Sequence, residues 1–130
     1  MMNLLFDTNA FLWWVMVPEK FPRAALKALD TADEVFVSPV TFWEIGLKAG
    51  GKGFDFELPD DWHIALPAHA ERFRVNLLPI TPLNCRMIQD LPPHHKDPFD
   101  RMLIAQALEQ KLAVMTSDAW FELYGVKRVW

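Results

Sequence analysis

An α/β domain built on a mainly parallel sheet is the fold this sequence predicts, on three observations. Short apolar runs alternate along the chain with segments whose apolar residues recur at helical spacing. Two of those runs, in NLLF at 3–6 and LAVM at 112–115, lead into polar tips that end in an aspartate, Asp7 and Asp118. At 130 residues, 52% hydrophobic and 23% charged, the chain can bury one core and is too short for two ordinary domains.

The elements follow in order. NLLF reads as a strand, and TNAFLWWVMV after Asp7 as a helix opened by Thr8 or Asn9. Residues 22–31, PRAALKALDT, start with proline at a first-turn position and carry Ala and Leu at helical spacing; EVFVSP then reads as a brief β-branched strand. TFWEIGLKAG is a helix with Phe42, Ile45 and Ala49 toward one side, stopped by Gly50 and Gly51. Residues 51–62 read as a loop, and 60–74 as helical with a kink or break at Pro67. LLPI at 77–80 is the third strand and 82–90 a short helix. Asp97 and Pro98 then cap and start a helix that runs to about Lys111, with Met102, Ala105 and Leu108 on its apolar stripe. LAVM, a short helix over WFEL and a last strand in VKRVW complete a sheet of about five strands joined by right-handed crossovers.

Thirteen Lys and Arg against seventeen Asp and Glu give a net charge of −4, which argues against gripping nucleic acid mainly through counterion release. That objection weakens if the negative charge gathers in one cleft, because bound divalent cations reverse the local field. No apolar run reaches the eighteen residues of a membrane span, and the start, with an acid inside it and no basic stretch before it, does not read as a signal peptide; a soluble protein is expected. The single cysteine, Cys85, cannot form an internal disulfide and no Cys/His group has zinc-finger spacing, so a reducing, cytoplasmic setting is expected.

The candidate chemistry is acidic. In an open parallel sheet, ligands bind beyond the carboxyl ends of the strands, where Asp7 and Asp118 would meet if their strands are neighbours. Asp7 reads as a metal ligand or a helix cap, and three capping-type residues in a row, Asp7-Thr8-Asn9, exceed what one cap requires. Glu44 reads as a ligand or as the partner of Lys48 one turn on. Asp97 caps its helix, and Asp100 shares a face with it, concentrating two charges at one place. Asp118 is a ligand or the cap of the WFEL segment. Gathered at one edge, such acids repel unless protonated or neutralised, and a hard cation such as Mg²⁺ or Mn²⁺ neutralises them through oxygen ligands. Asn9, Ser38 and Thr116 could orient the acids or a metal-bound water, and Arg101, Lys48 and Lys52 could contact phosphate. His94 and His95 could bind phosphate or tune the site, or be surface residues of a Pro-rich loop. The tryptophans and phenylalanines could stack on bases, although Trp13, Phe42 and Trp120 lie in apolar stretches suited to packing.

Four segments together, LLFDTNAFLWW, VSPVTFWEIGLK, LPPHHKDPFDRMLIAQA and LAVMTSDAWFELYGVKRVW, make the chain resemble the PIN-domain family, and within it the VapC-type toxins of bacterial toxin–antitoxin pairs, over nearly its whole length. The resemblance implies a single PIN-like domain over residues 1–130, a three-layer α/β/α arrangement, an acidic pocket for Mg²⁺ or Mn²⁺, and endonucleolytic cleavage of RNA. By motif, the family's acids fall on Asp7, Glu44, Asp100 and Asp118, with Asp97 a cap, a supporting group or an additional ligand. It also implies a homodimer and a VapB-type antitoxin. The segment GGKGFDFELPDDW departs from expectation in showing no basic RNA-facing surface. Two other readings stand beside this one. A phosphatase of the haloacid-dehalogenase kind would use Asp7 as nucleophile but needs an acid where Asn9 stands; a receiver-like or non-catalytic PIN module would bind a partner without cutting.

Overall fold

The computed structural model describes residues 2–130. Five strands form one sheet: β1 (Asn3–Phe6), β2 (Glu34–Val37), β3 (Val75–Leu77), β4 (Ala113–Met115) and β5 (Arg128–Val129), in the order β3-β2-β1-β4-β5 with every pairing parallel. Among the described residues the helices are α1 (Thr8–Met16), α2 (Arg23–Thr31), α3 (Pro39–Ala49), α4 (Trp62–Arg72), α5 (Pro82–Asp90) and α6 (Pro98–Gln110), with short 3-10 segments at Pro18–Lys20 and Ala119–Tyr124.

Alternation along the strands produces the layers. Leu4 and Phe6 of β1, Val35 and Val37 of β2, and Ala113 and Met115 of β4 pack on one side with Phe11 of α1, Ala25 of α2 and Leu66 of α4. Leu5 and Val114 face the other side, against Leu103, Ile104 and Ala107 of α6 and Phe121. The sheet is therefore covered on both faces, as parallel sheets are.

The strand order positions the site. From β1 the chain steps outward through β2 to β3, then returns to place β4 on the other flank of β1. The β1–β4 boundary is thus the point where the winding reverses, and the crevice at the carboxyl ends of those strands is open to a ligand. The pairing continues into that crevice, because the Asp7 N–H donates to the Met115 carbonyl at 3.0 Å.

Several boundaries differ from the sequence reading. The third strand is Val75–Leu77 rather than 77–80: Arg74, with φ 60, turns the chain straight out of α4, and Pro79 cannot donate to a ladder. Helix α3 starts at Pro39, with Ser38 as its cap, two residues before Thr41, and Ala49 is exposed instead of facing the core. The glycine with positive φ after α3 is Gly53, whose N–H returns to the Lys48 carbonyl at 2.9 Å, whereas Gly50 is right-handed. Helix α4 continues through Pro67 without a break, pinned by the buried Leu66 and Ala70.

Candidate active site

The acids arrive at one edge because each sits at the cap of, or on, a helix or 3-10 segment that follows a strand or a loop on that edge. Asp7 ends β1 and caps α1, its Oδ1 accepting from the Ala10 N–H at 2.7 Å. Ser38 ends β2 and caps α3, which carries Glu44 inward to 7% exposure. Asp97 caps α6 through its Oδ1, which accepts from the Phe99 and Asp100 N–H groups at 2.8 and 3.3 Å, so Asp100 sits in the first turn. Beyond β4, the buried Thr116 accepts the Asp118 N–H at 3.0 Å, and Asp118 in turn caps the last 3-10 segment through Trp120. Below the acids, the hydroxyls of Thr8 and Thr41 meet at 3.2 Å and tie α1 to α3.

Burial and mutual repulsion shape the charges. Burial pushes the Asp7 carboxyl up to about 6, against the hydrogen bonds from Thr116 and Ala10, with the charges of Glu44 and Asp118 adding to the rise. Asp100 is pushed up to about 8, first by burial and then by Asp97, Asp7, Glu44 and Asp118. Asp7, Glu44, Asp100 and Asp118 therefore share one electrostatic environment. Glu44 pairs Oε2 with Lys48, 3.1 Å away, while its Oε1 is buried without a partner among the described residues. A carboxylate oxygen stripped of water and left unpaired costs on the order of 1–3 kcal/mol, which a cation at that position would relieve.

One histidine belongs to the cluster. His95 Nε2 lies 3.0 Å from Asp100 Oδ2 and 3.3 Å from Asp118 Oδ2. The three ligand-type atoms fall within 4.8 Å of one another. A donor set made chiefly of carboxylates suits a hard divalent cation such as Mg²⁺ or Mn²⁺ rather than zinc. Beside the acids opens a cleft of about 400 Å³ lined by Glu44, Lys48, Lys96, Asp97 and Phe99 among others.

The remaining candidates divide. Thr116 contacts Asp7 and Asp118 as a supporting residue would. Ser38 is buried and occupied with the Val40 N–H, and Asn9 is exposed in the first turn of α1. Arg101 does not face the acids: its guanidinium donates to the carbonyls of Ile88, Leu91, Pro92 and His95 and to the Tyr124 hydroxyl. Lys48 is paired with Glu44, Lys52 is exposed in the loop after α3, and His94 packs its ring on Tyr124 at 5.1 Å. Tyr124 was not a candidate from sequence, and only its being the single tyrosine marks it.

Comparison with known proteins agrees with this architecture. The chain is 28% identical over 120 residues to Ribonuclease VapC22 of Mycobacterium tuberculosis, covering 91% of this chain and 88% of that one. It superposes on VapBC-1 from nontypeable Haemophilus influenzae with a TM-score of 0.71 at 16% identity, over 98% of this chain and 96% of that one. DNA-bound VapBC from Salmonella typhimurium gives 0.68 at 18% identity, over 98% and 97%. These two likenesses are of fold. The PIN domain family model matches residues 4–127, nearly the whole described chain, and the protein belongs to the PIN domain family.

Proposed function

We propose that this PIN domain is a divalent-metal-dependent endoribonuclease and the toxin half of a toxin–antitoxin pair. The observation that carries the chemistry is the crowding of Asp7, Glu44, Asp100 and Asp118 at the winding reversal, with the Glu44 Oε1 buried and unpartnered. The relative named a ribonuclease supports the reaction class, and a fold neighbour from the VapBC family of toxin–antitoxin systems of Mycobacterium tuberculosis supports the biological setting.

Asp7, Glu44, Asp100 and Asp118 would hold Mg²⁺ or Mn²⁺. Bound there, such an ion supplies a Lewis acid that activates water and neutralises charge on a phosphodiester undergoing in-line displacement. The chain's own residues do the rest. Thr116 opposes the rise that burial imposes on the Asp7 carboxyl and fixes the turn that presents Asp118, and the Thr8–Thr41 contact keeps the helices bearing Asp7 and Glu44 in register. Lys48 and Lys96 rim the cleft, where their charges meet the RNA backbone. A homodimer and a VapB-type antitoxin, in the cytoplasm, complete this reading.

Purified protein is expected to cleave RNA with Mn²⁺ or Mg²⁺, to stop in chelator, and to lose cleavage in Asp7→Asn with its circular dichroism unchanged. Expressed alone it should arrest growth, and co-expression of the adjacent gene should restore it. Undiminished cleavage by Asp7→Asn would remove the catalytic assignment, and harmless expression of intact protein would remove the toxin.

A further inference from the structure

The connection between α5 and α6, residues 91–97, has no regular structure, yet its backbone is held by side chains from two other elements. Arg101 Nη1 donates to the Pro92 carbonyl at 2.9 Å and the His95 carbonyl at 3.3 Å, and Nη2 to those of Ile88 and Leu91 at 3.3 and 3.1 Å. The Tyr124 hydroxyl accepts the His95 N–H at 2.8 Å and donates to the Pro92 carbonyl at 2.8 Å, while Arg101 Nη1 donates to it at 3.2 Å. An arginine and a tyrosine from two other elements thus fix the backbone of one histidine.

The ring is fixed as well. The Asp97 N–H donates to His95 Nδ1 at 3.3 Å, which makes Nδ1 the acceptor and leaves the ring proton on Nε2. That N–H lies between Asp100 Oδ2 at 3.0 Å and Asp118 Oδ2 at 3.3 Å. The ring N–H hydrogen-bonds Asp118 and lies beside Asp100, so one polar hydrogen faces two carboxyls that repel each other, one on α6 and the other beyond β4. Ligation of a cation by Nε2 would require moving the proton to Nδ1, where it would confront the Asp97 N–H.

We propose that His95 is a positioning residue of the acidic site, whose Nε2–H ties Asp100 to Asp118 at the separation a divalent cation needs, and that Arg101 and Tyr124 hold His95 rather than substrate. The inference rests on the metal-dependent reading above. His95 hydrogen-bonds one oxygen of Asp118 and lies against one oxygen of Asp100, whose other oxygen is left to the cation, the way a supporting donor orients a ligand.

Calorimetric titration of Mn²⁺ into the whole protein without RNA tests this. His95→Ala should weaken Mn²⁺ binding about 10–100-fold in protein that still folds without metal. His95→Gln, which can return an N–H donor near the Nε2 position, should recover most of the affinity, a rescue that a merely packing role would not give. Unchanged or tighter binding by His95→Ala overturns the proposal, tighter binding meaning that the imidazole competes with the ion. Should His95→Ala not fold, Tyr124→Phe, which keeps the ring and releases the His95 N–H, must lower the affinity, and no change there overturns it. Wild type that binds Mn²⁺ but leaves RNA intact removes the nuclease reading alone; wild type that binds no Mn²⁺ removes both.

Discussion

Asp100 occupies the least favourable electrostatic position among the site residues, buried and facing four other carboxylates, with the amino end of α6 and the His95 Nε2 3.0 Å away as partial offsets. Its folded pKa of about 8 lies above its ordinary 3.8, so the folded state binds the proton more tightly than the unfolded one. Stability drawn from that proton is complete below about pH 4 and is lost progressively as pH rises toward 8. Asparagine in its place has nearly the same shape and no proton to lose. Metal-free Asp100→Asn should therefore melt with wild type near pH 4.5 and above it at pH 8, by more than about 1 kcal/mol, or about 3–5 °C in a chain of this size. The same variant should not cleave RNA. Scanning calorimetry at the two pH values decides the first point, and an asparagine variant no more stable than wild type at pH 8 would contradict the repulsion. Glu44 illustrates how two explanations of one residue coexist: the pairing with Lys48 that its spacing suggests is present at Oε2, and the buried Oε1 remains for a ligand.

At the scale of elements, α6 separates capping from ligation. Asp97 commits Oδ1 to two backbone N–H groups, a role asparagine performs equally well. Asp97→Asn is expected to keep the melting temperature and to cleave RNA within a few-fold of wild type, and Asp97→Ala to lose about 1 kcal/mol of stability. Loss of Mn²⁺ binding in Asp97→Asn would make it a ligand instead. The Asp97-Pro98 signature was legible because cap and first helical residue announce themselves locally. The same signature at Ser38-Pro39 was absorbed into the preceding strand, so α3 was read as starting two residues late. The third strand was misplaced because its start depends on a left-handed arginine, a conformation that side-chain pattern does not encode. Asp7, Glu44, Asp100 and Asp118 could be picked out from the order of strands and helices together with the family motifs. The sequence offers His95 only as a residue that could bind phosphate or tune the site; its place between Asp100 and Asp118 is not legible there, because its backbone is held by Tyr124, 29 residues away, and by an arginine whose charge suggests phosphate.

At the scale of the molecule, parallel strands place all their carboxyl ends on one edge, and the helices that follow begin there. The amino ends of α1, α3 and α6 thus bring partial positive charge to the carboxylates, reducing the repulsion without cancelling it. The residual imbalance makes metal binding a proton-linked event. Below pH 8 the proton on Asp100, and below pH 6 that on Asp7, must leave before these oxygens can accept a cation. Mn²⁺ affinity should therefore climb with pH, by up to about tenfold per unit where one proton is released, and level off above about pH 8. Calorimetry at pH 7 in two buffers of different ionisation enthalpy should register about one proton released per ion, and close to none at pH 9. As the cation binds only the folded chain, saturating Mn²⁺ should also remove most of the fall in melting temperature expected in chelator between pH 5 and 8. An affinity that does not change from pH 6 to 8 would mean that the acids are already ionised without metal, and that helix dipoles and His95 balance the cluster by themselves.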